Sequence, residues 1–127
     1  MNIFTDIFGK NYTFKASAHA RVNLIGEHTD YTGGYVLPML LKYKTNVYIS
    51  SSKQKNTVHS TNYKKTIIFS DLIKSKNNHW VDYIKGCLSI IQSDFSLPTN
   101  YFNILIDSNI PMNRGVSSSS ALCVALL

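Results

Sequence analysis

Arg21, Glu27, His28 and Asp30 crowd a guanidinium and three further ionisable groups into one short stretch of an otherwise plain sequence. No hydrophobic core explains that density. The apolar run 22–26 leads into a polar loop that holds Glu27, His28 and Asp30, and Gly33 and Gly34 return the chain to the apolar residues 35–37. A strand presents a polar site in this way. Glu27 is the sole glutamate, and Arg21 and Arg114 are the only arginines. Arginine offers a fixed fork of donors that lysine cannot copy, so its placement points to geometry rather than to bulk charge.

Arg114 belongs to a second segment, residues 110–122, that follows an expected strand and opens an expected helix. That context favours an anion. Unpaired amides at a helix N-terminus face outward with the positive end of the dipole behind them, and Ser117, Ser118 and Ser119 offer hydroxyls to a phosphate or to its metal. Gly115 supplies the tight entry. A Walker loop would need a lysine near Gly115, and a nucleophile elbow would need a second glycine after the serine; neither is present. A serine-rich helix cap without ligand remains the alternative.

The elements that must position these segments follow from hydropathy. Residues 12–18 alternate, with Tyr12, Phe14 and Ala16 on the expected buried face, and residues 22–25 read as a neighbouring strand. Residues 44–50, 56–59 and 65–69 read as further strands. From Trp80 the rhythm changes: Trp80, Tyr83, Ile84, Cys87, Leu88 and Ile91 follow helical spacing, with Asn77 or Asn78 as the expected cap. Residues 101–107 form an alternating strand with Phe102, Ile104 and Ile106 on one face. A loop over 109–116 precedes a helix over 121–127. That apolar helix ends without a glycine cap or a basic last turn, which reads as the beginning of a larger protein; its open face is expected to drive self-association.

Composition bounds the remainder. With 127 residues, 44% hydrophobic and 16% charged, the chain suits one globular domain. The formal charge of +6 comes from lysines scattered along the sequence, so no basic block argues for nucleic acid. Cys87 and Cys123 fall within apolar helical patterns, where cysteine acts as a small hydrophobe; neither a disulfide framework nor a metal site is expected. There is no leader-like N-terminus and no run of membrane-spanning length, and a cytoplasmic location is expected.

Taken together, Arg21 to Pro38, Pro111 to Leu122 and the pattern Trp80-Val-Asp-Tyr-Ile-Lys-Gly86 resemble the GHMP kinases, and within them the galactokinases. The resemblance implies an α+β fold: a mixed sheet with helices packed on one face, part of the N-terminal domain of the GHMP kinase fold (ribosomal protein S5 domain 2-like). It makes residues 1–127 an incomplete N-terminal domain, with a sugar loop at 21–38, a phosphate loop at 111–121 and no C-terminal domain. The activity implied is transfer of a phosphoryl group from ATP, with Mg2+, to the anomeric hydroxyl of galactose or a related sugar. By the same carry-over Glu27, His28 and Asp30 bind sugar hydroxyls, and Arg21 stabilises charge at the reacting oxygen. Gly115, Ser117, Ser118 and Ser119 cradle the phosphates, Ser119 ligates the metal, and Trp80 and Tyr83 border the adenine. For Trp80 a core position is the alternative, and for Arg21 and Asp30 a structural ion pair.

Departures from the pattern are local. Ala18-His19-Ala20 stands where the family has Ala-Pro-Gly, and Asn113 stands for the first glycine of the phosphate loop; Val116 and Ser120 replace leucine and alanine. Alanine at position 20 is tolerated only if the backbone angle there is ordinary. The family's catalytic aspartate lies beyond the phosphate loop, and Asp6, Asp71, Asp82, Asp94 and Asp107 all sit outside the sugar and phosphate loops. The chain is therefore expected to be inactive alone, with a non-catalytic sugar or nucleotide sensor as the alternative.

Overall fold

The computed structural model describes residues 3–26, 28–76, 79–97, 101–111 and 114–127, with nothing described of the side chain of Asp30. Its elements are α1 (Ile3–Phe8), β1 (Phe14–Ile25), a 3-10 turn (Asp30–Thr32), β2 (Leu37–Ser52), β3 (Asn56–Ser60), β4 (Lys65–Phe69), α2 (Val81–Asp94), β5 (Tyr101–Ser108) and α3 (Ser118–Leu126). The strands form one five-stranded sheet in the order β1-β2-β5-β3-β4. β3 runs parallel to β5, and the other pairings are antiparallel. The sheet is mixed, as expected.

The stretches read as 12–18 and 22–25 are not neighbouring strands: from Phe14 on they are parts of one strand, β1, whose partner is β2. The ladder is irregular between them: His19 faces Lys44, yet Arg21 faces Leu40. The buried face keeps the parity of the alternating pattern, but its first half is left uncovered. Phe14 is 70% exposed, whereas Ala18 and Ala20 are buried beneath the helices. Small side chains let a helix approach a strand closely, a need that hydropathy does not register.

The core lies between the sheet and α2 with α3. Val47, Val58, Ile104 and Ile106 meet Ile84, Cys87 and Leu88 of α2 and Ala121, Ala125 and Leu126 of α3. Ile104 and Ile106 fall on the expected face of β5, and Phe102 packs at its margin. On the opposite face, Phe4 of α1 is fully buried against the rings of Phe8 and Tyr12, and Tyr12 in turn meets Tyr48. Tyr48 is one residue out of phase with Val47, so α1 covers the back of the sheet.

α2 starts at Val81, with Trp80 as its N-cap and no side-chain cap; Asn77 and Asn78 lie outside the described residues. Its buried stripe is Val81, Ile84, Cys87 and Leu88, and Tyr83 leaves that stripe, half exposed. Burial beside Cys123 pushes the Cys87 thiol up to about 12. Of the apolar residues of the last helix, Val124 and Leu127 stay exposed while Ala121, Ala125 and Leu126 are covered, which narrows the open face expected there. No helix among the described residues is long and apolar enough to cross a membrane.

Candidate functional site

The loop between β1 and β2 is organised around Thr29, a residue that sequence reasoning passed over. Its hydroxyl lies within hydrogen-bond distance of the carbonyls of Gly26 (3.1 Å) and Tyr35 (3.0 Å) and shares its one proton between the two ends of the loop. Its carbonyl accepts from the amides of Thr32 (3.2 Å) and Gly34 (2.8 Å). Gly26 has φ +87°, and a Cβ there would stand 2.7 Å from the Thr29 hydroxyl. The fold holds the loop in one shape from within. His28 is exposed on it, with Nδ1 3.2 Å from the Tyr31 hydroxyl. Asp30 opens the 3-10 turn, and Glu27 lies outside the described residues.

At the foot of this loop the irregularity in β1 acquires a purpose. The Arg21 amide, where the ladder slips, donates to the carbonyl of Val116 (3.3 Å), 95 positions along the chain by number. Its guanidinium donates through Nη1 to Asn23 Oδ1 (2.5 Å) and through Nη2 to Ser117 Oγ (3.0 Å). Asn23 is 8% exposed, and its Nδ2 has no partner among the described residues. Asn109, at the start of the connection from β5 to α3, accepts from the Lys44 amide (2.7 Å) and donates its own amide to the Lys44 carbonyl (3.2 Å) on the slipped part of β2. Two segments far apart in sequence are joined at Arg21.

Ser117 takes a left-handed conformation (φ 58°) as the N-cap of α3 and makes no cap hydrogen bond. The amide of Ala121 is the first to bond back into the helix, to the Ser117 carbonyl. The amides before it face an open end with the dipole behind them, the arrangement that accepts an anion. Gly115 (φ +66°) makes the turn into this end, and Asn113 lies outside the described residues. Ala20 has no positive φ, so the alanine there carries none of the strain that a glycine position would impose.

Beside α3 a cleft of about 130 Å³ opens, with Trp80, Tyr83, Ile106 and Leu122 as apolar walls and Ser118 and Ser119 at one side. Trp80 and Tyr83 thus meet the phosphate-loop serines in one place. Ser117 turns to Arg21 instead, and Gly115 stays outside the lining. Tyr63 also lines the cleft and stacks on Trp80, with ring centroids 5.2 Å apart and planes 16° apart. Nothing in the sequence around Tyr63 signalled this role. Among the described residues no cluster of His, Cys, Asp and Glu could hold a metal by itself. A metal here would need the hydroxyl of Ser119 together with the oxygens of a bound phosphate.

Four of the described aspartates are engaged elsewhere, and Asp6 lies on α1. Asp71 accepts from Lys85 Nζ (3.1 Å), which with the Ile73 amide holds its carboxyl below the usual range. Asp82 accepts from the amide (2.9 Å) and hydroxyl (2.8 Å) of Ser75, and these bonds lower it likewise. Asp107 accepts from Thr61 Oγ1 (2.9 Å), and Asp94 from Ser93 Oγ (2.7 Å).

Comparison with known proteins bears on both segments. Residues 2–51 match the galactokinase galactose-binding signature, and residues 82–127 match the GHMP kinases N terminal domain. The galactokinase of Lacticaseibacillus casei strain BL23 is 36% identical over 124 residues, which are 94% of this chain and 32% of that protein. The galactokinase of Thermosipho africanus is 41% identical over 111 residues, 87% of this chain and 30% of that protein. The crystal structure of Lactococcus lactis galactokinase complexed with galactose superposes with a TM-score of 0.82 at 31% identity, over 97% of this chain and 33% of that one. Methanococcus jannaschii mevalonate kinase, at 19% identity and a TM-score of 0.74 over 94% of this chain and 39% of its own, shares the fold. The chain spans about a third of the length of the curated relatives it matches.

Proposed function

The chain belongs to the galactokinase family of the GHMP kinases, and on that premise we propose that it carries the sugar-gripping and nucleotide-cradling parts of a site for ATP-dependent phosphorylation of galactose at the anomeric hydroxyl. One observation supports this reading above others: the Arg21 guanidinium bonds to Ser117 of the phosphate loop from the base of the sugar loop. A sugar held by the loop and a phosphate seated on α3 would both lie beside that cation.

Glu27, His28 and Asp30 are the proposed sugar ligands. Their acceptors on a loop braced by Thr29 would distinguish hydroxyl stereochemistry, because a mismatched hydroxyl leaves a buried polar group unpaired. Arg21 is the proposed stabiliser of charge developing between sugar oxygen and phosphate, the main contribution a protein makes to this class of reaction. Its bond to Asn23 fixes one arm of the fork and leaves the other directed at the phosphate loop.

Gly115, Ser117, Ser118 and Ser119 are proposed to receive the phosphates at the open end of α3, with Trp80 and Tyr83 beside the base in the cleft. Mg2+, when bound, would neutralise phosphate charge, and Ser119 is the residue proposed to hold it. The residues present fit such an ion only through hydroxyl and phosphate oxygens. A cytoplasmic setting belongs to the same reading, since the donor is ATP.

The 127 residues by themselves are proposed to bind both ligands without turnover, because Asp71, Asp82, Asp94 and Asp107 each accept a bond from a partner other than Arg21 and Asp6 lies on α1, on the other face of the sheet. Calorimetric titration of the chain with galactose, and separately with ATP and magnesium, tests the reading. Saturable binding of both is expected. Failure of both would overturn it, and release of ADP at the rate of a whole kinase would overturn the claim of inactivity. The second reading, a sugar or nucleotide sensor, draws on the same committed aspartates.

A further inference from the structure

Tyr63 sits on the four-residue connection between β3 and β4, and that connection is fastened to β5 rather than left in solvent. The Thr61 amide donates to the Ile106 carbonyl (3.0 Å), and the Thr61 hydroxyl donates to Asp107 Oδ1 (2.9 Å). Asn62 then pairs with Ser108 as a strand residue would, donating Nδ2 to its carbonyl (2.7 Å) and accepting its amide at Oδ1 (3.1 Å). Lys64 turns the chain back through a left-handed angle, φ 48°. The turn is built to hold whatever it carries.

What it carries is an aromatic ring laid flat on Trp80. The stack lines the cleft, yet Tyr63 remains 50% exposed, so only part of its surface is used within the protein. No hydrogen bond to its hydroxyl occurs among the described residues; the ring is the working part. Ile106, Ile110 and Leu122 complete the apolar lining, and Ser118 and Ser119 of α3 add hydroxyls to it. A flat heteroaromatic group joined to phosphates matches that division: π-surface at one end, helix amides and hydroxyls at the other.

We propose that Tyr63 is a base-binding residue of the cleft: stacked on Trp80, it offers the uncovered half of its ring, beside the indole, to the base of a nucleoside triphosphate. The inference rests on the reading of this cleft as the nucleotide site. Its consequence is separable, because the base and the phosphates are gripped by different residues.

The test uses the whole chain, with Trp80, its single tryptophan, as the fluorescent reporter. Tyr63→Leu keeps an apolar side chain and removes the stack; Tyr63→Phe keeps the stack. In the free protein Tyr63→Leu is expected to shift Trp80 emission and Tyr63→Phe to leave it in place. The dissociation constant for ATP is expected to rise about fivefold in Tyr63→Leu and to stay within about twofold in Tyr63→Phe, the effect of one aromatic contact. Inorganic tripolyphosphate should bind the native chain and both variants alike. Unchanged ATP affinity in Tyr63→Leu, or an equal loss for tripolyphosphate, would overturn the inference and leave the nucleotide reading standing. A native chain that binds neither ATP nor tripolyphosphate would overturn both.

Discussion

The contact between Arg21 and Ser117 can be measured by a double-mutant cycle without any ligand. Arg21→Met keeps the half-buried stem and removes two charge-assisted donors, one to Asn23 Oδ1 and one to Ser117 Oγ. At about 1.5 kcal/mol each, the low end for bonds to a charged group because the guanidinium is only half-buried, the expected loss is about 3 kcal/mol. Ser117→Ala removes only the second of these bonds. The left-handed backbone angle at position 117 is borne equally by serine and alanine, so the substitution isolates the hydroxyl and is expected to cost about 1.5 kcal/mol. If the bond exists, the double variant loses it once. Its cost is then about 3 kcal/mol, against about 4.5 kcal/mol for independent sites, a coupling of about 1.5 kcal/mol. Urea unfolding of the four proteins, followed by Trp80 fluorescence, reads the difference. Additivity to within about 0.5 kcal/mol would refute the claim that the guanidinium ties the two segments together.

Within the sugar loop, Gly26→Ala and Gly33→Ala share a left-handed backbone, but only at Gly26 would the new methyl meet the Thr29 hydroxyl, 2.7 Å away, while nothing lies within 4 Å at Gly33. Urea unfolding should therefore show about 1 kcal/mol lost at Gly33 and about 1–3 kcal/mol more at Gly26; equal losses would contradict the close approach. Asp71 and Asp82 are both held below the ordinary carboxylate value of about 3.9, so their contribution is complete above that value and is lost as the pH falls through their lowered folded-state values. Thermal melts taken from about pH 5 down to about pH 2 should fall less steeply in Asp82→Asn than in the native chain. With its thiol pushed up to about 12, Cys87 should react with a thiol reagent at neutral pH only as fast as the fold opens, and Cys123→Ser isolates that rate. Immediate modification of Cys87 in the folded variant would contradict its burial.

The regular elements were legible wherever periodicity had enough residues to speak. Residues 65–69 are β4 as read, and the face of β5 that carries Ile104 and Ile106 is the buried one. Single-residue commitments were less so. Tyr83 belongs to the helical stripe by spacing, but the helix begins at Val81 and turns the tyrosine to the cleft. Thr29 and Asn23 lie within the 21–38 stretch but were not singled out there, and Tyr63 lies outside the motifs, because each acts through a partner that only the folded chain supplies: two loop carbonyls, a guanidinium and an indole ring.

The reading of β1 chose the right face and the wrong part of it, for a reason that bears on the site. Alternation drew attention to Phe14, yet on that same face the buried positions are Ala18 and Ala20, which lie in the same core cluster as Ala121 and Ala125 of α3. Alanine on both surfaces permits a close strand-to-helix seam, with α3 packed on β1 and β2. Arg21 follows Ala20 directly, and Ser117 is the N-cap of that helix, so the seam ends where the guanidinium meets the serine. The ladder slip supplies the remaining condition, since it releases the Arg21 amide to bond Val116. Alanine at position 20 therefore sits where the packing needs a small residue and the backbone does not need a glycine, and the departure from the family pattern there is compatible with the geometry that aligns the two loops.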